Sequence, residues 1–549
     1  MVLSTQKKNI VRLNQITKVL IKYGFGGIVQ KIGLKTMLSN PFNKEDTYDI
    51  DFNERVRLVL QELGTTFIKL GQTLSAYPNI ISLPLANELA KLQDDTPATS
   101  YDDISKVFES DFNCSIDDIF EKFNKVPIAS ASIGQVHSAY FNNEHVAIKI
   151  QHPNIKETIE TDISIMKYLA KKIDDKITQA KSYNLPGIVE EFERDIYKEL
   201  DYTIEAKNIE HFRSMLKEDE VRIPNVYKNS TKHVLIMEFI KGIKLNTVLD
   251  NNSSNYDKKH IAYLGADIFF KQILLYGFYH ADPHPGNIFI LKNNRISLID
   301  FGMIGHLDDS RRNELAKLFI FISDDNITGI IKQLKYMNII TEDTDINNVR
   351  YEIMDLMDKY YGVEFNDITG VLKEIVENDT LVKYGIVIPK DLIMVIRTIS
   401  MVDDIGKKLY PKFNTTAILK PYAKKLITNN FKPKKVLSNI NENYIELEHL
   451  ISIFPDFIEK FYSIFNNGNI KLSLDYEEQE KLTNIASKIS NQLSLALITS
   501  AMLIGSSLIM LTDRGFLIFG FPFLGFIGFI FSAILGIIVI IMIIRKGNY

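Results

Sequence analysis

The chain has 549 residues, 46% hydrophobic and 24% charged, long enough for several cores and too apolar for wholesale disorder. Lys+Arg number 64 against Asp+Glu 68, a formal net charge of -4, so there is no global basic field and nucleic acid is not expected as a partner. The one cysteine, Cys114, excludes an intramolecular disulfide framework and a cysteine-based zinc cluster, as suits a reducing compartment.

Residues 1–47 form a basic amphipathic segment. Lys7, Lys8, Arg12, Lys18 and Lys22 interleave with Ile10, Val11, Leu13, Ile16, Val19 and Leu20, without the unbroken apolar stretch of a secretory signal. Such a helix can lie on anionic lipid or pack on its own domain, and both readings stand at this point. The segment also lacks the Ser- and Arg-rich bias of an organelle transit peptide, which favours a bacterial chain. Residues 48–125 read as a helical extension. Val56, Leu58, Val59, Leu63, Phe67, Leu70 and Leu74 keep helical spacing, and Pro78, Pro84 and Pro97 punctuate it.

Residues 126–245 change character. Runs 136–141 and 145–150 are β-rich and flank Asn142-Asn143, a hairpin signal; helical patterns follow from 155 to 216, then a strand over 233–240. Residues 246–440 carry a hairpin over 287–299, turning at Asn293-Asn294, and become helical from Arg311 onward. Residues 441–490 read as a helical linker. In residues 491–545 the uncharged runs 493–511 and 516–544 each reach the roughly 18 apolar residues of a membrane span. Thr512-Asp513-Arg514-Gly515 between them forces an antiparallel hairpin, and Gly528, Ser532 and Gly536 recur every four positions, suited to close helix approach. Lys481 and Lys488 precede the first run, Arg545 and Lys546 follow the second, and the loop holds one Arg. The positive-inside rule then leaves the large domain and the C-terminus cytoplasmic.

The chemistry-bearing residues fall in a meaningful order. Val146-Ala147-Ile148-Lys149 buries a lysine in an apolar strand, where a charge is costly unless something binds it. Glu205 lies in a downstream helix. His280-Ala281-Asp282-Pro283-His284-Pro285-Gly286-Asn287 precedes a hairpin, and Asp300-Phe301-Gly302 ends it. These are the parts of a phosphate-handling site: Lys149 for the α/β phosphates, Asn287 and Asp300 for Mg²⁺, and Asp282 to orient or deprotonate a nucleophile. Where a glycine-rich loop should cover the phosphates, the chain has Ala129-Ser130-Ala131-Ser132-Ile133-Gly134-Gln135, a stiffer loop. After Gly302 a helix begins near Asp309, leaving no activation segment and no Ala-Pro-Glu to dock a peptide.

HADPHPGN, LIDFG, ASASIGQVH with VAIKIQHP, and FIKLGQTLS together resemble the UbiB/AarF family of atypical kinases, over about residues 60–307. The eukaryotic members of that family serve coenzyme Q synthesis, and its members are better described as lipid-linked ATPases than as protein kinases. The resemblance implies an α+β, protein-kinase-like two-lobe fold. Residues 126–245 would be the N-lobe with a helical insert and 246–440 the C-lobe, with an N-terminal helical extension and a C-terminal transmembrane hairpin. It further implies that Lys149 pairs with Glu205, and that Lys69, Gly71 and Gln72 form a motif folding over the site. Glu199 and Asp201 would match a Glu-x-Asp motif, with Glu199 meeting Lys69. Ala129 to Ser132 would be the nucleotide loop, and backbone groups of Glu238 and Ile240 would grip adenine. The chain departs from the family pattern at Ala76, Tyr77 and Asn79, losing an Arg and an Asp.

The reading is a membrane-anchored, Mg-ATP-binding atypical kinase or ATPase of a bacterial cell membrane, serving isoprenoid-quinone or related lipid metabolism. A protein kinase and a nucleotide-binding pseudokinase scaffold are the alternatives. The first of these lacks a docking segment, and the second sits poorly with an intact Lys149, Glu205, Asp282, Asn287 and Asp300.

Overall fold

The computed structural model describes residues 2–34, 50–75, 81–92, 96–177, 184–216, 221–250, 256–341, 344–360, 368–377, 384, 386, 388–430, 494–495, 497–510, 517–518 and 521–546. The chain divides into two units, Met1–Leu437 and Ser438–Tyr549.

The first unit opens with helices α1 (Val2–Lys22), α2 (Phe52–Leu63), α3 (Thr65–Ser75), α4 (Leu83–Leu89) and α5 (Tyr101–Phe112). Strands β1 (Ala129–Ser130), β2 (Gly134–Phe141) and β3 (Glu144–Gln151) follow, then helices α6 (Ile155–Lys176), α7 (Leu185–Glu199) and α8 (Tyr202–Met215). β4 (Val221–Arg222), β5 (Val234–Glu238) and β6 (Ile243–Lys244) lead to α9 (Lys258–Phe270). Four short strands come next: β7 (Phe278–His280), β8 (Ile288–Ile290), β9 (Ile296–Leu298) and β10 (Ile304–His306). Helices α10 (Asp309–Ser323), α11 (Ile327–Tyr336), α12 (Ile346–Tyr360), α13 (Ile368–Glu377), α14 (Lys390–Leu409) and α15 (Thr415–Asn430) complete the unit.

The first sheet runs β1-β2-β3-β5, all antiparallel, and the second runs β4-β9-β8-β6. Asn142 and Asn143, at φ 53° and 64°, make the two-residue turn between β2 and β3, in register Phe141 to Glu144. Strand parity divides β3. Val146, Ile148 and Ile150 pack with Ile104 and Phe108 of α5, while Ala147 belongs to the large core beneath the sheet. That core continues through α9 and the helices from α10 to α15.

Of the two readings of the N-terminal segment, the structure supports packing on its own domain. Ile16 of α1 is buried with Val59, Leu63 and Phe67 and with Ile159 and Ile163 of α6. Arg12 Nε meets Asp162 at 2.7 Å, and its Nη2 donates to the Leu63 carbonyl at 2.7 Å.

In the second unit a helix over residues 497–510 and α16 (Phe523–Lys546) flank a short pairing of β11 (Leu517–Ile518) with β12 (Phe521–Pro522). A Cβ on Gly525 would press on Met510, and one on Gly528 on Ser506, so the two helices lie antiparallel and close. Gly536, by contrast, faces open space. Side chains of α16 are described only as far as Gly536, and among the described residues no helix is long and apolar enough to cross a membrane. Of the two expected spans over 493–511 and 516–544, the described residues show a tight helical hairpin and no membrane-crossing helix. The expected linker at 441–490 lies outside the described residues.

Candidate active site

Lys149 lies on the same face of β3 as Ala147, beneath the sheet. Its Nζ is 2.9 Å and 3.2 Å from Glu205 Oε2 and Oε1, and 5.0 Å from the centre of the Tyr202 ring. Glu205 is presented by the buried stripe of α8, with Tyr202, Ile209 and Phe212. Asp201 caps that helix, its Oδ1 accepting from the Thr203 N–H at 3.0 Å and the Thr203 hydroxyl at 2.6 Å. Asp201 therefore positions Glu205 through the helix. Burial alone would lower the Lys149 pKa, but the carboxylates of Glu205 and Asp300 outweigh it and raise it well above the ordinary lysine value.

The pairing of β7 with β10, which the sequence reading missed, brings the two downstream motifs together. His280 is opposite Ile304, so Asp282 and Asp300 leave neighbouring strand ends. The buried His280 ring bridges them. Its Nε2 donates to the Asp300 carbonyl, and its Nδ1 accepts the Asp282 N–H at 3.2 Å. That pattern needs a neutral ring, and burial lowers the His280 pKa accordingly. Asn287 Nδ2 donates to Asp282 Oδ2 at 2.9 Å. Gly302 N–H donates to Asp300 Oδ1 at 2.9 Å, and Asn208 Nδ2 of α8 reaches the Phe301 carbonyl at 3.0 Å. Burial pushes the Asp300 carboxyl up. Lys149, the Gly302 N–H and Lys69 together outweigh this and hold it below the ordinary range.

Lys69 of the extension thus acts electrostatically on Asp300, and it pairs with Glu199 at 3.2 Å. Gly71 and Gln72 serve the packing beneath it. A Cβ at Gly71 would collide with Leu92 and Leu60, and Gln72 Nε2 donates to the Leu92 carbonyl at 3.1 Å. The departures at Ala76, Tyr77 and Asn79 lie outside the described residues. Ala129 and Ser130 form β1, and the Ala131 N–H closes a tight turn onto the Gly134 carbonyl at 2.9 Å. The Ser130 and Ser132 hydroxyls are buried without a partner among the described residues. At the end of β5 the Glu238 carboxylate is held by Arg222 at 2.8 Å and 2.9 Å, leaving this residue only its backbone to offer a ligand; Ile240 is buried beside it.

The donor set fits a hard cation. Asn287 spends its amide nitrogen on Asp282, keeping Oδ1, and Asp300 spends one oxygen on Gly302, keeping the other. Mg²⁺ takes one or two such oxygens and completes its shell with phosphate and water. Among the described residues no group of three or more His, Cys, Asp and Glu side chains could hold a metal by itself. Sequence reading placed the six residues 149, 199, 205, 282, 287 and 300. It gave no role to His280, although HADPHPGN contained it, nor to Asn208 or Tyr202, whose place beside Glu205 only the helix reveals.

Residues 91–334 match the ABC1 atypical kinase-like domain, residues 353–414 the UbiB helical domain, and residues 477–545 the ABC1/UbiB kinase-like C-terminal domain. A Clostridium pasteurianum protein named for the hydrogenase 1 5' region is 32% identical over 546 residues, covering 98% of this chain and 100% of its own. A Shewanella baltica protein named probable protein kinase UbiB is 28% identical, covering 82% and 83%. A solved Mycobacterium tuberculosis protein in complex with erythromycin superposes with TM-score 0.48 at 24% identity, covering 67% and 94%. With matches to all three domains and a relative aligned from end to end, the chain belongs to the UbiB/AarF family of atypical, protein-kinase-like proteins.

Proposed function

We propose that the chain binds Mg-ATP and acts as a membrane-anchored atypical kinase or ATPase in isoprenoid-quinone or related lipid metabolism. The observation that carries this is the Lys149–Glu205 pair buried beside Asp300, with Asn287 and Asp282 bonded to each other one hairpin away. Lys149 would hold the α/β phosphates, Asn287 and Asp300 the cation, and Ala129 to Ser132 would cover the phosphates. Bound Mg²⁺ supplies charge neutralisation at the phosphoryl group. Asp282, fixed by Asn287, orients the nucleophile and accepts its proton. Lys69 and Glu199 close the cleft from the extension, which favours a small or lipid-borne acceptor over a peptide.

Anchoring is supported by the second unit, where Leu497, Ile504, Leu508 and Leu524 are exposed by 63%, 61%, 60% and 78%. A contiguous apolar surface of this kind is costly in water. We place the first unit on the cytoplasmic side of a bacterial membrane. The full chain should resist carbonate extraction, whereas recovery as a soluble monomer would overturn anchoring.

Thermal-shift measurements with ATP or ADP, with and without Mg²⁺, test the site. A melting temperature unmoved by millimolar Mg-nucleotide overturns it, since a ligand of the native state stabilises by mass action. Phosphate release with candidate quinone precursors then tests the substrate class.

A further inference from the structure

Behind the alanine-rich loop runs a chain of hydrogen bonds that the chemistry above does not use. His152, just after β3, donates its backbone N–H to the Ile133 carbonyl at 2.9 Å, and its ring Nε2 lies 2.9 Å from the Ala131 carbonyl. A carbonyl only accepts, so Nε2 carries the proton and Nδ1 accepts from the Thr99 hydroxyl at 2.8 Å. Thr99 is fixed in turn by Gln135, which accepts its N–H at 2.8 Å and returns an amide N–H to its carbonyl at 3.2 Å. Gln135 Nε2 also lies 2.8 Å from His137 Nε2, and His137 Nδ1 lies 2.8 Å from the Asn124 carbonyl. Gln135, His137 and His152 are all buried, and every ring or amide atom in the chain has a partner. A buried polar network satisfied throughout specifies one geometry.

We propose that His152 is a positioning residue for the phosphate-covering loop, with its tautomer set by the Ala131 carbonyl and its ring held from behind by Thr99. The inference rests on reading the cleft as a Mg-nucleotide site. His152 ties both carbonyls that flank Ser132, so neither can swing toward a phosphate and repel it, and the unpartnered Ser132 hydroxyl is held between them. A loop of alanines cannot reach the backbone conformations open to glycine, so its shape has to be imposed from behind. Thr99 lies between α4 and α5, so the same contact also ties the loop to the helical extension.

The test uses the full chain in detergent. His152→Leu removes both ring contacts, His152→Gln retains an N–H donor, and Thr99→Val removes the hydroxyl. Affinity is measured for Mg-ATP and for adenosine, which has no phosphates, and amide hydrogen exchange is followed over residues 129–134. We expect His152→Leu to bind Mg-ATP about tenfold more weakly with adenosine within about twofold, the loss of roughly one useful hydrogen bond. His152→Gln should recover most of this affinity, and Thr99→Val should fall between. Exchange in the loop should quicken in His152→Leu while that in β5 stays as in the wild type. Equal losses for both ligands, or unchanged loop exchange, overturn the proposal. A wild-type chain that binds no nucleotide refutes the functional reading instead, and the exchange arm then still decides whether His152 fixes the loop. Should His152→Leu fail to fold, wild-type affinity and exchange in both His152→Gln and Thr99→Val overturn it.

Discussion

Two lysine–glutamate pairs flank the cleft, and they are built differently. Lys149–Glu205 joins a strand paired on both edges to a capped helix, and its side chains are 18% and 6% exposed. Lys69–Glu199 joins α3 to the end of α7 at 3.2 Å, and its side chains are 19% and 24% exposed. The first pair is fixed by sheet register, the second by how two helices rest on each other. The same ion pair is therefore a rigid part of the site in one place and an adjustable closure in the other.

The comparison breaks most readily at the first pair. Lys149→Ala leaves Glu205 uncompensated in the core, and we expect a loss on the order of 3–5 kcal/mol in denaturant unfolding. A loss below about 1 kcal/mol would show that water reaches Glu205 and that the two pairs are alike. The second pair is more exposed on its glutamate side, 24% against 6%, so a double-mutant cycle of Lys69→Ala and Glu199→Ala should give a coupling of about 1–2 kcal/mol. Strict additivity, with wild-type nucleotide affinity in Lys69→Ala, would remove the extension from the site. Asp201→Ala deletes the cap of α8 and should cost about 1 kcal/mol, visible in thermal unfolding. It should also weaken nucleotide binding through Glu205, whereas Glu199→Ala acts through Lys69 alone.

The smallest effect concerns pH. Burial lowers the His137 pKa, with its bond to the Asn124 carbonyl opposing only in part. A depressed folded pKa means that the unfolded chain takes up the proton first. His137 therefore contributes stability fully above pH 6.5, and that contribution is lost as pH falls below 6.5 through the folded value. Unfolding at pH 7.5 and 5.5 should show a shallower loss in His137→Gln than in the wild type. An equal slope would mean that the ring titrates normally.

Much of this was legible in the sequence because it depends on local pattern. A charge inside an apolar strand pointed to Lys149, Asn142-Asn143 set the register of the hairpin, and the fixed offset within HADPHPGN joined Asp282 to Asn287. What escaped notice is long-range and short in length. β7 and β10 have three residues each, too few to show a period, yet their pairing brings Asp282 and Asp300 together. The polar chain through Thr99, Gln135 and His152 joins residues up to 53 positions apart with no spacing rule between them. The apolar runs near the C-terminus are legible as hydrophobic segments, and among the described residues they form a tight helical hairpin.

Helix α7 has a consequence that neither pair shows alone. From its middle onward, Glu191 and Asp195 hold Lys390 of α14, the latter at 3.1 Å, and at its end Glu199 holds Lys69. Eight residues separate Glu191 from Glu199, a rod of about 12 Å at 1.5 Å per residue. A rod gripped at its middle and at its tip behaves as a lever. A tilt of about ten degrees about one end carries the other through roughly 2 Å, enough to break a contact of hydrogen-bond length. A displacement of α14 therefore has a direct helical route, with no loop between, to the lysine that acts on Asp300.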